Sequence, residues 1–240
     1  MFRISSSVTS DLRSALSSFT SSRISRFIAL ATLLWEQIIF ARCAMLISQG
    51  YPRTTLAVVV DLRKHCGAPF TAPDCLGNFV LSAKPTWPLP IVSSFRFPRI
   101  VNAQHLAPFA QCISHSLQSI DRAWVTNRLA YIASSAPPLI DTHELTFSNG
   151  PDLYITSWEH MGADCEWDIP GTGSAKPTAL RRAAWVSEGG IVVLPRQQDG
   201  DAPYEVLVSL AEEDMMRLQK GMQDGGWLTD ESSKAFKARL

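Results

Sequence analysis

Two short patterns in this sequence bring together side chains able to do acid–base or polar catalysis. His160-Met-Gly-Ala-Asp164 spaces a histidine and a carboxylate as His-x-x-x-Asp. Histidine titrates near neutrality and so suits a general base. With five histidines in the chain a pattern this short arises by chance, and a solvated loop histidine is the plainer reading. Thr156, Ser157 and Trp158 close an apolar, β-branched run. Hydroxyls at a strand end can donate to a developing oxyanion, or make ordinary strand-end hydrogen bonds. Lys176, Arg181 and Arg182 form a basic cluster that could meet phosphates or stay solvated. Arg63 could pair with Asp61 or Asp168 or stand exposed, and a structural role is favoured because arginine–carboxylate pairs are commonly scaffold. Gly171-Thr-Gly173 follows no strand directly, so no dinucleotide or Walker-type phosphate loop is expected.

The composition narrows the possible partners. Apolar residues make up 46% and charged residues 18%, the balance of a globular protein with a sizeable core. Lys plus Arg equals Asp plus Glu, at 22 each, so neither nucleic acid nor an anionic membrane is expected as a partner. The cysteines Cys43, Cys66, Cys75, Cys112 and Cys165 are odd in number and contain no Cys-x-x-Cys pair. Neither a structural zinc nor a disulfide framework is expected, and a reducing, cytoplasmic setting fits. The first twenty residues are rich in serine and lack the apolar core of a secretory signal. The most apolar stretch, 27–47, contains Glu36, Gln37 and Arg42, which would be costly in lipid; it reads as a buried helix.

The elements that must position these groups follow from periodicity and breakers. A short helix is expected over 8–19 and a long one over 24–48, apolar on nearly every side and ended by Gly50, Tyr51 and Pro52. Residues 54–60 read as a buried strand, 153–158 as a strand, 76–83 as a returning strand, and 84–102 as a proline-rich linker or sheet edge. Residues 103–133 read as one broken helix or two in series, and 162–177 as a Gly/Pro-rich loop. Strands over 190–195 and 204–210 are joined by a turn at Asp199, Gly200 and Asp201. Ser209 and Glu212 have the spacing of a capping box for a last helix that Gly221 would end. The reading is an α/β layered domain over 1–222, followed by a polar tail over 223–240.

Six pieces, in order, resemble the C-terminal half of BAHD and fungal trichothecene-type coenzyme-A-dependent acyltransferases. They are Ile24-Ser-Arg-Phe-Ile-Ala-Leu-Ala-Thr-Leu-Leu-Trp35 with Ala41-Arg42; Val60-Asp61-Leu62-Arg63; and Leu76-Gly77-Asn78. Then come Ile155-Thr156-Ser157-Trp158; Asp168-Ile-Pro-Gly-Thr-Gly-Ser-Ala-Lys176-Pro177; and Gly190-Ile-Val-Val-Leu-Pro195-Arg196 with the helix after Leu210. Each piece is short, but the order and spacing of all six are specific.

The resemblance implies a chloramphenicol-acetyltransferase-like fold, a mixed sheet flanked by helices. It also implies transfer of acyl groups other than amino-acyl groups from acyl-coenzyme A to an alcohol or amine, in secondary metabolism. No metal or permanently bound cofactor is implied. Arg63, Asn78 and Asp168 would be structural, Thr156, Ser157 and Trp158 would line the acyl or acceptor tunnel, and Lys176, Arg181 and Arg182 would meet coenzyme A phosphates. The family's catalytic His-x-x-x-Asp lies upstream of the long helix, where this chain has no histidine. The resemblance therefore implies no catalytic residue here, with His160 and Asp164 a look-alike. A truncated gene product, a split enzyme or a partial gene model would all read this way. The alternative is a non-catalytic remnant that binds a ligand or partner, or self-associates through the face left by the absent half.

Overall fold

The computed structural model describes residues 1–68, 71, 77–89, 101–137, 139–171, 173–181, 188–197 and 201–229. The elements, in chain order, are β1 (Phe2–Ile4), α1 (Ser6–Phe19), α2 (Arg26–Ala41), α3 (Cys43–Ser48), β2 (Arg53–Asp61) and α4 (Arg63–Cys66). They continue with β3 (Val80–Ala83), β4 (Thr86–Pro88), α5 (Ala103–Gln118), α6 (Arg122–Ala133) and β5 (Leu153–Ser157). The last are β6 (Trp167–Ile169), β7 (Gly173–Ala175), β8 (Gly190–Val193), β9 (Tyr204–Ser209) and α7 (Glu212–Asp224).

One mixed sheet carries the strands in the order β1-β9-β8-β5-β2-β3, with β4 also paired to β2. Neighbours β2, β5 and β8 run parallel, so their carboxyl ends share one edge of the sheet. Alternation along the strands divides the two faces. Leu56, Val58, Leu153, Ile155, Ile191, Val193 and Val206 join the apolar side chains of the helices in one core. The intervening Val59, Tyr154, Thr156 and Leu207 point away from the helices and are half-buried.

Helix α2 is the centre of the helical layer and packs against α1, α5 and α7. Thirteen of its side chains are buried, from Ile28 to Ala41, as its nearly continuous apolar sequence requires. Each fully buried Leu or Ile of this helix contributes about 1.5–3 kcal/mol by removal from water. Ser25 caps it, its hydroxyl accepting the Ile28 N–H at 3.1 Å. Gly221 of α7 lets the two helices approach closely, since a Cβ there would sit 2.9 Å from Gln37 Oε1.

Several expected boundaries move. The long helix over 24–48 is two helices, broken at Arg42, whose guanidinium lies buried between Glu188 and Asp214. The capping box at Ser209 does not form, because Ser209 is still paired to Gly190 in the sheet and the helix starts three residues later. Gly221 does not end that helix, which continues to Asp224. Trp227 and Leu228 pack on the core and the Thr229 N–H donates to Arg3 O, so packed chain extends past the expected boundary at 222. The Gly/Pro-rich stretch 162–177 contains the two-stranded hairpin β6–β7. The turn expected at Asp199 and Gly200 lies outside the described residues, as does Leu76.

Candidate functional site

Ligands of sheets with parallel strands gather at the carboxyl ends of those strands. In this chain that edge is formed by Asp61 to Arg63 after β2, Ser157 to Glu159 after β5, and Leu194 to Arg196 after β8.

At the end of β2, Arg63 is held from two sides. Its Nη1 and its backbone N–H both donate to Asp61 Oδ1 at 3.0 Å. Its Nη2 donates to Gly77 O at 2.6 Å. The side chain thus ties the strand end to the Gly77–Asn78 turn, joining two of the six sequence pieces that stand well apart in the chain. Burial pushes the Asp61 carboxyl up, but the Arg63 N–H groups and charge outweigh it and hold the group below the usual carboxylate range. Asn78 itself is exposed.

At the end of β5, the three tunnel candidates separate. Thr156 and Trp158 alternate onto the face turned away from the helices, while Ser157 lies on the side of Ile155 and Val193. Ser157 Oγ accepts the Glu159 N–H at 3.3 Å. The Trp158 N–H donates to Val193 O at 2.8 Å, extending the pairing with β8 by one residue. The Met161 N–H then closes a turn onto Trp158 O at 2.8 Å. His160 stands exposed on that turn and Asp164 is half-buried beyond it. Asp168 is exposed in the β6–β7 hairpin, opposite Ser174.

The basic candidates also divide. Arg181 is half-exposed, and its Nη1 and Nη2 reach the two oxygens of Glu205 at 2.7 and 3.3 Å. Arg3 approaches the same carboxylate at 3.4 Å. These side chains and Arg196 line an open cleft of about 200 Å³ with Ala163, Pro177 and Gln197. Lys176 is exposed next to it, and Arg182 lies outside the described residues. Arg196 is only 6% exposed, pairs with Glu159 at 3.7 Å and stacks 4.4 Å over the Tyr204 ring. Burial of Tyr204 pushes its phenol up. No motif marks Arg3, Glu159 or Glu205, because each gains its role from a neighbour distant in the chain. Among the described residues no group of three or more His, Cys, Asp or Glu could hold a metal ion. No described helix is long and apolar enough to cross a membrane.

The family model described as "Transferase family" matches residues 1–224. The chain belongs to this family, that of the BAHD acyltransferases. Solved structures of similar fold include TRI101 of F. sporotrichioides complexed with coenzyme A and T-2, with a TM-score of 0.68 and 22% identity over 91% of this chain and 47% of that one. TRI101 of F. graminearum complexed with coenzyme A and deoxynivalenol has a TM-score of 0.64 and 21% identity over 91% and 46%. Vinorine synthase has a TM-score of 0.56 and 15% identity over 90% and 44%. At these identities the likeness is one of fold. This BAHD-family chain spans about half the length of the solved structures it matches. No curated protein matches its sequence significantly.

Proposed function

We propose that this chain supplies one wall of an acyl-coenzyme-A-dependent acyltransferase acting on alcohol or amine acceptors in secondary metabolism. The observation that carries the reading is the meeting, on neighbouring parallel strand ends, of the Asp61–Arg63–Gly77 link and the Thr156–Trp158 segment. The coenzyme A and mycotoxin ligands of the TRI101 structures support it. In the reaction a base removes the acceptor O–H or N–H proton and the acceptor attacks the thioester carbonyl. The tetrahedral oxyanion then collapses, the C–S bond breaks, and the coenzyme A thiolate leaves and takes up a proton. Thr156 carries the hydroxyl on the face turned from the helices and is the donor we assign to the acyl oxygen, with Trp158 as the apolar wall beside it. Lys176 and Arg181, with Arg3 in the adjoining cleft, give the coenzyme A phosphates a cationic approach.

The base is not among these 240 residues in this reading. His160 is exposed on a turn, and nothing in the geometry of that turn marks it as a base. The test is coenzyme A release from acetyl-coenzyme A with a panel of alcohols and amines. The 240 residues by themselves should give no turnover above background, and His160→Ala should behave identically. Turnover that disappears in His160→Ala overturns this assignment. Binding of acetyl-coenzyme A without turnover, weakened in Arg181→Ala, is the outcome expected of a wall that lacks its base.

A further inference from the structure

We propose that Arg196 is a positioning residue, which fixes the Thr156–Trp158 strand end by anchoring Glu159. The proposal rests on the reading of that strand end as a substrate-facing wall. Arg196 grips Glu159 twice. Its backbone N–H donates to Glu159 O at 3.2 Å, and its Nη1 lies 3.7 Å from Glu159 Oε1, with the two side chains 5% and 12% exposed. The guanidinium is itself immobilised, 4.4 Å over the ring of the fully buried Tyr204.

Glu159 then holds what precedes it. Its N–H donates to Ser157 Oγ at 3.3 Å, while Trp158 between them is tied to Val193 O. Trp158 is therefore bracketed by a residue on each side whose position is set, and the last anchor comes from the end of β8, a different strand. Burying an arginine–glutamate pair costs desolvation that its attraction only partly returns, so an apolar pair would serve stability equally well. What the ionic pair adds is an attraction that singles out the Glu159 carboxylate, and at a reacting centre an error near 1 Å costs on the order of a hundredfold in rate.

The test uses the full chain labelled with 5-fluorotryptophan. It has seven tryptophans, and Trp158 is assigned by loss of its ¹⁹F resonance in Trp158→Phe. In Arg196→Met the Trp158 resonance should shift or broaden while that of Trp35, buried in the core, stays in place. Amide hydrogen exchange over 156–161 should rise about tenfold, with β8 and β9 unchanged. Glu159→Gln should reproduce both changes, and Arg196→Lys, which keeps a cation facing Glu159, should restore most of the original resonance position. A Trp158 resonance unmoved in Glu159→Gln overturns the proposal, and that arm stands even if Arg196→Met fails to fold. Movement of all resonances together in the variants also overturns it, by making the pair merely structural. Acetyl-coenzyme A added to the unaltered chain separates the two readings: if the variants move Trp158 and the ligand does not, the wall assignment fails and the positioning stands.

Discussion

Replacing Arg42 by methionine removes the cation at the centre of a deeply buried ionic cluster. The Arg42 side chain is 1% exposed, with Nη2 3.6 Å from Glu188 Oε1 and Nε 3.7 Å from Asp214 Oδ2. Burial pushes the guanidinium below its usual range, and Glu188 and Asp214 oppose that push. Both separations exceed hydrogen-bonding distance, and among the described residues the guanidinium nitrogens find no hydrogen-bond partner. The two carboxylates keep other donors. Arg217 Nη2 reaches Asp214 Oδ1 at 2.6 Å, and the N–H groups of Asn149 and Ala211 donate to Glu188 at 3.0 and 3.3 Å. Deleting one partner of a buried pair costs about 3–5 kcal/mol, mainly because the other charge is stranded. Because these carboxylates are only partly stranded, Arg42→Met belongs at the lower end, about 3 kcal/mol. For a domain of this size that is a fall in Tm of roughly 6–12 °C. Urea unfolding at neutral pH should show a lower midpoint at unchanged m-value, and adding Asp214→Asn should recover part of the loss. A variant as stable as the parent refutes the reasoning: the desolvation of Arg42 would then cancel its attraction, and the cluster would not fasten α2 to α7.

Two further perturbations test other parts of the fold. Lys84, Arg128, Asp141 and Glu144 form a four-charge cluster beside β3, with Arg128 Nε 2.9 Å from Asp141 Oδ1 and Lys84 Nζ 2.5 Å from Glu144 Oε1. Burial pushes both carboxyls up, but the hydrogen bonds and charges of Arg128 and Lys84, with the Ser82 N–H on Asp141, outweigh it and leave both below their usual range. Folded values below the unfolded ones mean that this stabilisation is complete above the ordinary carboxylate range, about pH 4, and is lost as pH falls through the lowered folded values. Urea midpoints measured from pH 6 to pH 3 should fall less steeply in Asp141→Asn; an unchanged slope would exclude the cluster as the source. At Gly190 a Cβ would lie 2.5 Å from Tyr154 Oη and 2.8 Å from Cζ, so Gly190→Ala should cost about 1–3 kcal/mol in the same assay. Combination with Tyr154→Leu should recover much of that loss, and a harmless single substitution would show that the Tyr154 ring moves aside freely.

The elements of this chain, and its family, are largely determined by local sequence. An apolar run interrupted by so few polar residues forces a helix such as α2 into the centre of its layer, and β-branched runs such as 54–60 and 153–157 can bury both faces only as interior strands. Those are properties of neighbouring residues, as are the six ordered pieces that mark a BAHD acyltransferase. Tertiary structure decided where such neighbourhoods meet. The helix break at Arg42 coincides with an ionic cluster reaching to Glu188 and Asp214. The failed capping box reflects the pairing of Ser209 with Gly190, which no local spacing encodes. The partner of Arg63 proved to be Asp61 together with the Gly77 carbonyl, and Ser157 parted from Thr156 and Trp158 because the strand's two-residue repeat turns adjacent side chains to opposite faces. Of His160 and Asp164, the most suggestive chemistry in the bare sequence, the first stands exposed on a turn and the second is half-buried beyond it. Arg196, to which the sixth piece assigns no role, meets Glu159 only because the end of β8 lies beside the end of β5. Spacing along a chain constrains hydrogen bonds within a few residues, whereas a site assembled from several strand ends depends on strand order, and strand order is set by the packing of the whole core.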